Sequence, residues 1–134
     1  MTTTTTPWAR LPNAVHIDRV IASAIANPGQ WNAAESEKWD VAWNATRDVL
    51  SEQGRYTEWS TASSTVWLAR QPKSSAAVWS AVREALLALV AYDDCAYMID
   101  SDPGELAILA KFGDRRAVLL LPACKVFHLL KEIV

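Results

Sequence analysis

Glu84-Ala85-Leu86-Leu87-Ala88-Leu89-Val90-Ala91-Tyr92-Asp93 is the stretch that decides the fold. Between Glu84 and Asp93 no side chain carries charge. Trp79, Val82, Leu86, Leu89 and Val90 cover one side of a helix here, and Ala85, Leu87, Ala88 and Ala91 cover most of the rest. A helix apolar all round belongs at the centre of a bundle. Ser74 or Ser75 can cap it, and it is expected to run from about Ala76 to Tyr97. Its apolar run, Ala85–Ala91, is far short of a bilayer span and ends in Tyr92-Asp93-Asp94, so it does not read as a transmembrane helix.

Helices are expected on both sides of this centre. Ala14 to Ala26 reads as the first, with Val15, Val20, Ile21 and Ile25 on one face. Asn13 can cap it and Asn27-Pro28-Gly29 stops it. The second is expected from about Asn32 to Glu52, since Trp31, Trp39 and Trp43 stand eight and then four apart. Gly54 ends it. The third runs from about Thr57 to Ala69 on Tyr56, Trp59, Ala62, Val66 and Trp67. Beyond the centre, Asp102-Pro103-Gly104-Glu105 is a start signal, with Asp102 as cap, Pro103 at the first helical position and Glu105 where a capping box needs its acid. Gly113 closes that short helix and Asp114 can cap the next. Pro122 is expected to kink or restart the last helix, and a strand at Val118–Leu121 is the rival reading there.

The chain has 134 residues, enough for one domain with a real core. Seven tryptophans and 22 alanines against four glycines exclude collagen-like, low-complexity and wholly disordered classes. The net charge of −2 creates no strong field for nucleic acid or anionic membrane. The charge is uneven, however. Residues 93–105 hold Asp93, Asp94, Asp100, Asp102 and Glu105, and residues 111–131 hold Lys111, Arg115, Arg116, Lys125 and Lys131 against Asp114 alone. These segments can attract each other within the fold or across subunits. Cys95 and Cys124 lack CxxC spacing and read as free buried thiols, which suits a reducing, cytoplasmic setting. Thr2 to Thr6 precede Pro7 and read with it as a flexible leader over residues 1–12. Trp8 in that leader calls for a docking pocket, on its own body or on a neighbouring subunit.

The tryptophans repeat faintly. Trp31 and Trp59 are 28 apart, as are Trp39 and Trp67. Each tryptophan from 31 onward is followed two positions later by a small or β-branched residue. Large side chains over alanine faces are ordinary bundle packing. The sharper reading is a tryptophan-lined groove or subunit interface, carried by Trp8, Trp31, Trp39, Trp59 and Trp67. In these tryptophan–alanine helices, in Ala85–Cys95 and in Ala117-Val118-Leu119-Leu120-Leu121-Pro122-Ala123, the chain resembles small helical proteins of phages and prophages. The resemblance implies a viral or mobile-element context and assigns no residue a role.

Candidates for chemistry are few. Tyr92-Asp93-Asp94-Cys95-Ala96-Tyr97 ends the most apolar helix, and Asp93, Asp94 and Tyr97 read there as a buried polar anchor that fixes register. Adjacent aspartates diverge on a helix, so an acid–base enzyme on Asp93 and Asp94 is a lesser reading. Two histidines and two cysteines are a thin supply for a metal, and no glycine-rich phosphate loop is present. Lys111, Arg115, Arg116 and Lys125 can form a basic patch, but no recognition-helix signature accompanies it. The sequence therefore predicts an all-α bundle of five or six helices over residues 13–134, with a central apolar helix and no cofactor. The function it favours is non-enzymatic protein interaction, with a host factor or with itself. A virion or assembly protein is the alternative.

Overall fold

The computed structural model describes residues 6–33, 39–69 and 76–133, with the backbone alone at 28, 32–33, 39–41, 67–69, 76–80 and 131–133. Seven α-helices lie in this part of the chain: α1 (Ala14–Ala26), α2 (Pro28–Ala33), α3 (Trp39–Glu52), α4 (Tyr56–Ala69), α5 (Ala76–Ala91), α6 (Pro103–Lys111) and α7 (Arg115–Ile133). A 3-10 turn, Ala96–Asp100, joins α5 to α6. No strand occurs among the described residues, and Val118–Leu121 lies in α7. The chain is an all-α helical bundle, as its patterning predicts.

The centre is α5. It packs against α1, α2, α3, α4 and α7. Every residue from Glu84 to Ala91 is at most 2% exposed. The alanines make this contact with five helices possible, because a small side chain lets each neighbour approach closely. The helix ends at Ala91 rather than Tyr97, and its C-terminus lies inside the molecule. Buried terminal carbonyls need donors. Asn13 Nδ2 donates to the carbonyls of Leu89 (2.9 Å) and Tyr92 (2.7 Å). Arg55 Nη1 donates to Val90 O at 3.1 Å, and Cys95 Sγ donates to Ala88 O at 3.4 Å. Contrary to expectation, the Asn13 side chain does not cap α1 but closes the end of α5, and it is only 3% exposed.

Two glycines set helix stops by the same geometry. Gly54 (φ 66°) and Gly113 (φ 91°) adopt the left-handed conformation. The next N–H then turns back five residues, from Arg55 to Leu50 O and from Asp114 to Leu109 O, each at 3.1 Å. Asp102 caps α6 by accepting from Glu105 N at 3.1 Å, with Pro103 opening the helix. Asp114 caps α7, its Oδ1 accepting from Arg116 N (3.0 Å) and Ala117 N (3.3 Å). Burial disfavours the charged Asp114, but these bonds and the Arg116 guanidinium outweigh it and hold the carboxyl below its usual range.

Three expectations are corrected. The helix drawn from Asn32 to Glu52 is two helices, α2 and α3, with residues 34–38 outside the described chain. Pro28 opens α2 as well as following the end of α1, because proline suits a first helical position. Pro122 does not restart the last helix: α7 runs through it for 19 residues. Its missing donor is offset by burial on both sides, with Leu119, Leu120, Ala123, Cys124 and Val126 at most 1% exposed. Residues 6–13 form turns rather than a loose leader. Trp8 docks on its own body at 3% exposure, donating from Nε1 to Asp18 Oδ1 at 2.9 Å, and Arg10 pairs with Glu58 on α4. Residues 1–5 lie outside the described chain.

Candidate interaction surface

The tryptophans divide by burial. Trp8, Trp31 and Trp59 are 3%, 0% and 3% exposed, so their side chains are core and not open surface. Each buried indole N–H has an acceptor: Asp18 for Trp8, Ser23 Oγ at 3.0 Å for Trp31 and Arg83 O at 3.2 Å for Trp59. Burial of so large a ring is favourable once that polar handle is satisfied. Trp31 also meets the edge of Phe127, with centroids 6.4 Å apart. The side chains of Trp39 and Trp67 lie outside the described residues.

Aromatic surface gathers where α3, α4 and α5 meet. Trp43 on α3 is half-buried, and Tyr56 at the start of α4 is 52% exposed. Trp59 stands between them, edge-to-face with both, at 5.4 Å and 72° in each case. Arg83 of α5 lays its guanidinium over Trp43 (4.9 Å) and Trp59 (5.0 Å). Burial lowers the Arg83 pKa, yet arginine keeps its charge at any physiological pH. The four side chains fix one another, so little rotamer freedom remains to be lost on contact. The sequence reading placed Trp43 and Tyr56 on helix faces but left both out of the interaction surface. The signal available was position, since Tyr56 directly follows the Gly54 turn and a helix start is poorly covered by neighbours.

Asp93, Asp94 and Tyr97 are not a buried anchor. Their exposure follows from the early end of α5: Asp93 and Asp94 turn into solvent, while Cys95, Ala96, Met98 and Ile99 fold back into the core. Asp93 and Asp94 are 50% and 81% exposed at the side chain, and Tyr97 is 62% exposed. The two carboxylates take different partners, Arg55 at 2.6 Å and Arg116 at 3.4 Å. The buried polar anchor of this region is Asn13 instead. Cys95 and Cys124 are free and buried. Burial pushes the Cys95 thiol up to about 12, so it holds no thiolate near neutral pH. Among the described residues no three histidine, cysteine, aspartate or glutamate side chains assemble as a metal-binding group. No described helix is long and apolar enough to cross a membrane. The arrangement can therefore recognise a surface by contact, through rings and a guanidinium. No protein-family model matches the chain, and no curated protein or solved structure matches it either.

Proposed function

We propose that the chain is a non-enzymatic protein-interaction module whose contact surface centres on Tyr56, with Trp43 and Arg83 beside it and the buried Trp59 holding the three in place. The observation that carries this is the ordered aromatic array with Tyr56 half in water. Tryptophan, tyrosine and arginine are the residues on which binding energy concentrates at protein interfaces. Here they are held in place before any partner arrives, which lowers the ordering cost of binding. The resemblance to phage and prophage proteins supports a host protein as that partner.

A photo-crosslinking residue at position 56 tests the reading. One discrete adduct with a host protein is expected, competed by excess wild type and not by Tyr56→Ala. The same probe at exposed Val15 on α1 is the control. Identical adducts from both positions, or none from position 56, overturn the proposal.

A further inference from the structure

Helix α6 is apolar on two sides. Leu106, 1% exposed, packs inward with Ala107 and Ala110, and α6 rests on α7. Glu105, Ile108, Leu109 and Phe112 follow one another at i, i+3, i+4 and i+7 on the other side, and all four are exposed. Ile108 is 55%, Leu109 42% and Phe112 86% exposed. A helix of this kind belongs between two neighbours, and the described residues supply one.

The charges around the stripe identify the second. Of the five acids between 93 and 105, Asp93, Asp94 and Asp100 pair within the chain with Arg55, Arg116 and Arg19. Asp102 serves as the α6 cap. Glu105 has no ion-pair partner among the described residues, and neither have Lys111 and Arg115. The stripe is thus acidic at its N-terminal end, apolar in the middle and basic at its C-terminal end. That pattern is complementary to itself when reversed. We infer that α6 is the self-association surface of this protein, on which a second copy lays its own α6 antiparallel. A two-fold axis at Ile108 sets Glu105 of each copy against Lys111 of the other. It also sets Phe112 against Gly104, an exposed position with no side chain in the way. The helix dipoles then oppose, which is favourable. One nine-residue helix per copy makes a small interface, so the dimer is weak and concentration-dependent. This surface is separate from the Trp43–Tyr56 cluster, and neither inference rests on the other.

Sedimentation of the full chain from low to high micromolar concentration tests it. The weight-average mass is expected to rise from one chain mass towards two. Phe112→Glu is expected to weaken association about tenfold or more, equivalent to about 1.4 kcal/mol. Glu105→Lys and Lys111→Glu are each expected to weaken it, and the double swap to restore it. Phe112→Glu should melt as the wild type does, because that side chain faces water, while Glu105→Lys and Lys111→Glu should melt slightly lower, since each reverses a charge that favours the α6 dipole. A chain that stays monomeric throughout overturns the inference. So does a dimer indifferent to Phe112→Glu and to the charge swap, which would place the interface elsewhere.

Discussion

Asn13 shows how one side chain can hold a fold together. It is buried and carries two hydrogen bonds to carbonyls more than seventy residues away along the chain. Asn13→Ala strands the Leu89 carbonyl in the interior and leaves the Tyr92 carbonyl only the weak Cys95 thiol donor at 3.3 Å. A loss of about 1–3 kcal/mol in urea unfolding is expected; a loss under about 0.5 kcal/mol would mean the carbonyls find other donors. Cys95 closes the same helix end and leaves a mark on pH dependence. An ordinary thiol ionises near 9.0, while the folded chain holds the Cys95 proton to about 12. Between those values the unfolded chain binds fewer protons, so stability falls as pH rises through the window. Cys95→Ala lacks that dependence. The stability difference between wild type and variant should shrink by up to about 1.4 kcal/mol per pH unit above pH 9. Parallel curves would contradict the burial of the thiol. The buried free thiol of Cys95 was legible in the sequence, but the role of Asn13 was not. Asn13 looks like a helix cap there, because the alternative acceptors belong to a helix that only the tertiary fold brings to it.

At the scale of elements, the stops and starts that use local chemistry were legible. Gly54 and Gly113 end helices through their own backbone freedom, and Asp102-Pro103 opens one within a single turn. The end of α5 was not, because its donors come from Asn13, Arg55 and Cys95, on three separate segments. With the helix drawn six residues too long, Asp93, Asp94 and Tyr97 were drawn inside it. Pro122 misled for a related reason, since burial around it outweighs its local cost. The centrality of α5 carries its own prediction. Ala88 is 0% exposed in a helix pressed by five others, whereas Ala22 on α1 faces water. Ala88→Leu should cost about 1–3 kcal/mol by overpacking. Ala22→Leu should fall within about 0.5 kcal/mol of wild type. Thermal melts of the pair decide it, and equal melting temperatures would remove α5 from the centre.

For the whole molecule, three of the four tryptophans whose side chains are described fill the core of a small bundle built on alanine. The spacing of Trp31 and Trp59 was legible as helical, but which way each ring points depends on the neighbour that arrives from another helix. Inward rings meet acceptors on Asp18, Ser23 and the Arg83 carbonyl. The array stays open at Tyr56, which is 52% exposed and is where the proposed contact lies. Hydroxyl-radical footprinting of the folded chain, read residue by residue by mass spectrometry, tests this division most directly. The account predicts strong protection of Trp8, Trp31 and Trp59 and ready oxidation of Tyr56. Oxidation of Trp31 and Trp59 at the rate of the urea-unfolded chain, or a Tyr56 as protected as they are, would contradict it.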